Sequence, residues 1–399
     1  MQASDTIDIA RIRAETPGIG ARVHLLAAGS ALMPQPVVDA VVDHTRLEAQ
    51  VGGYEAQAQM QKRLDNVYGS VARHLGARRR EIALLENATV AWCHAFYALP
   101  FKPGARILTC EAEYGANYVA FLQRARAEDL RIEVIPSGSD GTLDLGALER
   151  SMDSDVGLVA ITWVPTNGGL VNPAAEVGRI AKRHGVPYLL DACQAVGQMR
   201  VDVDEIGCDF LSGTGRKFLR GPRGTGFLYV REAWLESLEP AMIDHFAAPW
   251  VSRDSYALRD DARRFETWEN SYALRAGLGA AFDYAEGVGI AAIEARVRAL
   301  ADYSRTLLDG HEAITLLDLG PTPCGIVSFT LADTDPVEIV AELARRGVEI
   351  GLSPAASTRI DAERRHLPTV LRIAPHYYNT QDEIAHAVNE INAIANDRP

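Results

Sequence analysis

Lysine is almost missing from this chain. Of its 40 basic side chains only four are lysine: Lys62, Lys102, Lys182 and Lys217. A guanidinium stays protonated and cannot serve as an amine nucleophile, so a chain that otherwise uses arginine narrows the search for a reactive amine to those four positions. Cysteine is scarce as well. The five residues (Cys93, Cys110, Cys193, Cys208, Cys324) are odd in number, widely scattered and contain no CxxC pair. That argues against a disulfide framework and against a thiolate zinc site. No apolar run reaches the roughly 18 residues of a membrane helix. No basic tract offsets the 53 acidic side chains and the net charge of −13. Neither a membrane nor a nucleic acid is therefore an expected partner. The opening MQASDTIDIARIRAETPG has no apolar core of secretory length, and a cytoplasmic protein is expected.

What is present is a chain of 399 residues, 47% of them hydrophobic, enough for two or three domains with sizeable cores. Between about 80 and 230, short apolar runs alternate with helical patterns, as in a mainly parallel α/β sheet. The expected strands are 81–86, 105–110, 131–136, 156–164, 187–192, 209–213 and 225–230, with one of the last two free to run antiparallel. After about 265 the pattern changes to long helices at 271–288 and 291–310. Strand-like 325–332, a helix at 336–346, strand-like 370–375 and a helix at 380–396 follow. The expected division is a large α/β domain over 21–265 and a small α+β domain over 266–399 together with 1–20. In such sheets ligands sit beyond the carboxyl ends of the strands.

The residues that carry chemistry fall there. Lys217 follows a strand and a Ser-Gly-Thr turn, with Arg216 beside it, in SGTGRKFLRGPRGTGFLYV. Among backbone donors and a neighbouring cation its amine would be held below the usual lysine range, as a Schiff-base amine requires. Thr214 and Arg216 suit a bound phosphate. Asp191 ends the apolar strand of PYLLDACQAVGQ, three residues before Gln194, and a carboxylate there needs a partner: a pyridinium nitrogen, a magnesium ion or a helix start. In LLENATVAWCHAF a strand gives way to a helix at Ala88-Thr89, whose free N–H groups and threonine hydroxyl form a phosphate cradle. Tyr114, in CEAEYGANY, can stack on a flat ring. Arg372, inside the apolar VLRIAP, suits a substrate carboxylate or an internal salt bridge. Taken singly, each has a bland structural explanation. Together they match what pyridoxal phosphate needs to work on an amino acid.

The chain resembles fold-type I pyridoxal-phosphate enzymes of the class V aminotransferase family, over about residues 22 to 395. The motifs that carry the resemblance are D-A-x-Q (Asp191, Ala192, Gln194), R-K-F-L-x-G-P-x-G-T-G (Arg216 to Gly226) and R-I-x-P-x-x-Y-N-T (Arg372 to Thr380). It implies a seven-stranded, mainly parallel sheet domain, a smaller C-terminal α+β domain and a homodimer with shared active sites. It also implies residue roles. Lys217 would be the Schiff-base lysine and proton carrier, Asp191 the partner of the pyridine nitrogen, and Gln194 a partner of the ring hydroxyl. Ala88, Thr89 and Thr214 would bind phosphate, and Arg372 the α-carboxylate.

The sequence departs from the family pattern in four places. Arg216 and Tyr114 stand where histidines are common. The stretch that often supplies a phosphate ligand from a partner subunit reads Phe265-Glu266-Thr267-Trp268-Glu269-Asn270, which leaves Asn270 as the candidate. Cysteine desulfurases carry a nucleophilic cysteine before the carboxylate-binding arginine, and none lies between Gly347 and Arg372. EAQVGGYEAQ at 48–57 and EAEYGANY at 111–118 resemble the C–S lyases of ergothioneine biosynthesis, placing Gly53 and Tyr54 in the substrate pocket. The expectation is therefore a β-lyase that cleaves a cysteine S-conjugate or its sulfoxide to pyruvate and ammonia, with Tyr54 or Tyr114 protonating the leaving sulfur. The alternatives, in order, are an epimerase or aminotransferase, a cysteine desulfurase, and a cofactor-binding protein without catalysis.

Overall fold

The computed structural model describes residues 7–396. Its larger sheet has seven strands in the spatial order Ile82–Leu85, Gly226–Val230, Phe210–Thr214, Tyr188–Asp191, Val156–Thr162, Arg106–Cys110, Arg131–Ile135. Six point the same way. The strand Gly226–Val230 runs antiparallel to both of its neighbours.

Near-continuous apolar runs form these strands because both faces of the sheet are covered. Tyr188 and Leu190 enter one hydrophobic core while Leu189 enters the other, and Leu108 and Ile107 divide in the same way. All seven expected strands are present, within two residues of the expected bounds at either end.

A second sheet is wholly antiparallel, in the order Ile314–Leu316, Val327–Leu331, Val370–Ile373, Gly351–Ser353. It has its own core, in which Phe329, Leu371 and Ile373 meet Ile384 and Ile391 of the C-terminal helix Gln381–Asn396. The helix Tyr272–Val288, read in the sequence as opening the small domain, packs on the helices Gln35–Val51 and Gly53–Leu75 and puts Leu278 and Phe282 into the larger core. In the other direction, Val23–His24 pairs in parallel with Val348–Glu349. No helix among the described residues is long and apolar enough to cross a membrane.

Candidate active site

The parallel strands all end at one edge of the sheet. Cys110, Thr162, Asp191 and Thr214 are the last residues of their strands, with Thr162 paired to Asp191 and Asp191 to Ser212. Beyond that edge lies a cavity of about 340 Å³, whose wall includes Ala88, Thr89, Tyr114, Asp191, Thr214, Arg216 and Lys217. Most of the constellation expected from the sequence is gathered here.

Two glycines bring its pieces close. Gly197, at φ +91°, lies where a Cβ would sit 2.3 Å from the backbone nitrogen of Leu219, so the segment after Asp191 packs directly on the lysine turn. A Cβ on Gly226 would lie 2.3 Å from the carbonyl carbon of Asn87, which lets the antiparallel strand abut the start of the helix Ala88–Ala98. Asn87 caps that helix by accepting a hydrogen bond from Val90 N at 2.9 Å. The N–H groups of Ala88 and Thr89 are left directed at the cavity.

Lys217 is buried, and burial lowers its amine below the usual lysine range. Arg216 and Arg372 push the same way, against Cys193 and Asp191. Asp191 is buried at the cavity floor, where its Oδ1 accepts from Cys193 N at 2.9 Å and its Oδ2 from the Asn117 amide at 2.9 Å. Gln194 is buried beside it. Its Nε2 donates to the Ala28 carbonyl at 3.1 Å, and its Oε1 has no partner among the described residues.

Thr214 Oγ1 donates to the Thr225 carbonyl at 3.2 Å, and Arg216 Nη1 to the Gly29 carbonyl. Tyr114 ends the turn before the helix Gly115–Glu128, and burial raises its phenol above the usual range.

Arg372 is buried on the small sheet. Its Nη1 donates to Thr166 O at 2.5 Å and Thr166 Oγ1 at 2.6 Å, while its Nε has no partner. Burial lowers it to about 10, with Tyr114 and Arg216 the charged or polar groups it feels most. No carboxylate pairs with it among the described residues. A buried cation without a counter-ion is costly, so this arginine is poised for an anionic ligand rather than tied into an internal salt bridge.

Three expected residues lie elsewhere. Gly53, Tyr54 and Asn270 line a separate surface hollow of about 480 Å³ with Trp268 and Tyr272. Tyr54 is 73% exposed, because Gly52 at φ +97° breaks the helix and places it on the outer first turn of the next. Within one chain, neither Tyr54 nor Asn270 enters the lysine cavity.

Conversely, sequence reasoning passed over Thr166, which orients Arg372, and Asn117 and Cys193, which line the cavity around Asp191. Asn117 sits in the EAEYGANY stretch three residues from Tyr114. One turn of helix from a ring-stacking candidate was the available signal.

Comparison with known proteins agrees with this geometry. The class V aminotransferase family model matches residues 23–386. A probable cysteine desulfurase of Methanothermobacter thermautotrophicus is 30% identical over 94% of both chains. The apo structure of a cysteine desulfurase from Thermococcus onnurineus superposes with a TM-score of 0.92 at 25% identity, covering 100% of each chain. A C-DES variant with glycine covalently linked to its pyridoxal phosphate shares the fold, with a TM-score of 0.86 at 19% identity over 97% of this chain and 99% of that one.

These findings overturn the expectation of a β-lyase acting on cysteine S-conjugates, since the relatives that the chain matches along its length are named as cysteine desulfurases. The likeness to ergothioneine C–S lyases, drawn from two short stretches, finds no support in them. Such stretches at 48–57 and 111–118 report a helix break and a strand-to-helix turn as readily as a substrate.

The cavity fits the cofactor that the family uses. It offers a helix start for an anion, a buried acid and a buried amine, and the unpaired Gln194 Oε1 lies buried three residues along the chain from that acid. The chain belongs to the class V aminotransferase family of fold-type I enzymes, and its cofactor is pyridoxal phosphate.

Proposed function

We propose that this enzyme is a cysteine desulfurase, removing sulfur from L-cysteine and leaving alanine. The observation that supports it most is the unpaired, buried Arg372 close to Lys217, in a chain that runs the full length of relatives named for that reaction. When bound, pyridoxal phosphate supplies an electron sink conjugated with the substrate's Cα.

The protein's own groups do the rest. Ala88 and Thr89 hold the phosphate with their N–H groups, joined by Thr214 and Arg216. Asp191 would pair with the ring nitrogen, Gln194 Oε1 would accept from the ring hydroxyl, and Tyr114 would stack on the ring. Arg372, aimed by Thr166, grips the substrate carboxylate. Lys217, whose proton affinity burial lowers, takes the Cα proton.

The sulfur then passes to a thiol: a sulfur–sulfur bond forms as the Cβ–sulfur bond breaks, and its electron pair stays with the carbon skeleton that becomes alanine. No cysteine lies between Gly347 and Arg372 to be that thiol. Cys110, Cys208 and Cys324 are buried, and Cys193 sits in the cofactor cavity. Of the five cysteines, Cys93 alone lines the groove of about 880 Å³ that opens beside Tyr114, with Val119 and Ser357, and an external acceptor thiol would enter along the same groove.

The test is product analysis. Purified, cofactor-loaded protein given L-cysteine and a small thiol should form alanine in step with transferred sulfur, and Lys217→Ala should abolish it. Pyruvate and ammonia in place of alanine, or no turnover of cysteine, would overturn the proposal.

The assembly we propose is a homodimer. Tyr54, Trp250, Val251, Tyr256 and Trp268 are large apolar side chains left exposed, more than a monomer's surface ordinarily carries together. Sedimentation at micromolar concentration should give twice the chain mass, and a monomer would remove this part of the reading.

A further inference from the structure

We infer that Glu113 is a positioning residue for the cofactor ring: its carboxyl fixes the Asn117 amide, and through it the Asp191 carboxylate, in the orientation that meets the ring nitrogen.

Glu113 lies behind the cavity wall, 3% exposed, just past the strand Arg106–Cys110. Its Oε1 accepts from Thr162 Oγ1 at 2.5 Å, Asn117 Nδ2 at 2.8 Å and Tyr114 N at 2.9 Å. Its Oε2 accepts from Thr109 Oγ1 at 2.9 Å, with Cys110 Sγ at 3.9 Å. Asn117 Nδ2 spends its second hydrogen on Asp191 Oδ2 at 2.9 Å. One amide nitrogen thus joins two carboxyl groups, and Tyr114, which covers the ring, is tied to the first of them through its backbone.

No lysine or arginine pairs with Glu113 among the described residues. The titratable groups around it are Cys110, at the end of the strand that precedes it, and Tyr188 and Asp191, on the strand beyond Val156–Thr162, none of which is a cation. Two buried like charges bridged by one nitrogen resist ionising together. Asp191 faces Lys217 and Arg216 across the cavity, whereas burial raises Glu113 to about 7. The shared environment therefore favours a protonated Glu113, in which Oε2–H would donate to Thr109 Oγ1 in place of the bond that the ionised Oε2 accepts from it. A neutral Glu113 still accepts from Asn117, and Asp191 is held without a second negative charge behind it.

The test uses full-length protein stripped of cofactor and titrated with pyridoxal phosphate, with the bound cofactor's absorbance followed from pH 5.5 to 9. Glu113→Gln keeps the neutral shape and the Asn117 contact. It should bind within about threefold of the parent and lack a spectral inflection near neutrality that the parent shows. Glu113→Ala and Asn117→Ala should weaken cofactor binding by about tenfold or more and alter the spectrum at every pH. Unchanged binding and an unchanged pH titration in Glu113→Ala would overturn the inference, as would Glu113→Gln behaving like Glu113→Ala.

The inference rests on the proposed pairing of Asp191 with the ring nitrogen, so Asp191→Asn is measured beside the others. If Asp191→Asn leaves affinity and spectrum unchanged, that pairing fails. If Asp191→Asn changes them and Glu113→Ala does not, the inference alone fails.

Discussion

At the scale of single residues the site depends on charges that burial makes unusual. Lys217 carries a lowered affinity for protons, to which the Arg216 cation contributes. An amine must be unprotonated to attack the cofactor aldehyde, so the rate of cofactor uptake by the stripped protein should climb as pH rises through the lysine's titration. Removing the neighbouring cation in Arg216→Gln restores part of that proton affinity. The climb should move to higher pH, read as uptake rate against pH, and an unmoved profile would remove the cation's part in it. Arg372 makes a different prediction. Its planar fork is aimed by Thr166, and a lysine cannot reproduce that geometry. Arg372→Lys should raise KM for the amino acid by about 10- to 100-fold, the cost of a charge-assisted hydrogen bond, with a smaller change in kcat. Equal losses in both constants would move the arginine's role from holding substrate to the chemical step.

At the scale of elements, most of the large sheet was legible because its strands are buried on both faces and read as unbroken apolar runs. Lys217, Asp191 and Arg372 stood out for the same reason: each is a charged group set at the end of, or inside, such a run. What could not be read was lateral. Asn117 meets Asp191 across 74 positions of sequence, and Thr166 meets Arg372 across 206. Only the tertiary fold brings them together, Asn117 from the helix Gly115–Glu128 and Thr166 from the segment after the strand Val156–Thr162. Gly351–Ser353 escaped because three residues ending before a proline carry too little alternation to announce a strand. Tyr54 lies outside the lysine cavity of its own chain because the Gly52-Gly53 break is the corner between two helices. The close packing after Asp191 can be tested directly. A side chain at Gly197 would need both a left-handed backbone and space that the Leu219 nitrogen occupies. Gly197→Ala should destabilise the protein by about 3 kcal/mol in a denaturant titration and lose cofactor on gel filtration.

The whole molecule carries a pH sensor in its core that has no part in catalysis. His74, on the helix Gly53–Leu75, packs edge-on against Phe282 with ring centroids 5.0 Å apart, and neither ring nitrogen has a partner among the described residues. Burial lowers it to about 4 from 6.5, so the native state holds it neutral while the unfolded chain protonates near 6.5. The unfolded state therefore binds more protons between those values. Stability should be full above 6.5, fall by about 3 kcal/mol as pH drops to 4, and level off below. His74→Leu should flatten that part of the curve, measured by urea unfolding at a series of pH values. The pair Arg275–Glu266, 2.9 Å apart with Tyr68 OH on the same carboxylate, ties the helix Tyr272–Val288 to the larger core. Removing one partner in Glu266→Ala should cost about 3–5 kcal/mol, because it strands a buried guanidinium.

The one reversed strand has a consequence for how long the lysine stays where it is. Phe210–Thr214 leads into the Lys217 turn and Gly226–Val230 leads out of it, side by side and in opposite directions. Both ends of the turn are thus stitched to the same interior edge, and each of these strands has a second neighbour on its far side. Amide protons on either flank can meet solvent deuterium only when the sheet itself opens. The outlying strand Gly351–Ser353, bonded on one side alone, can exchange while the rest holds. The flanks of the amine's turn therefore open last, and the strand laid against the one that carries Arg372 is free to breathe first.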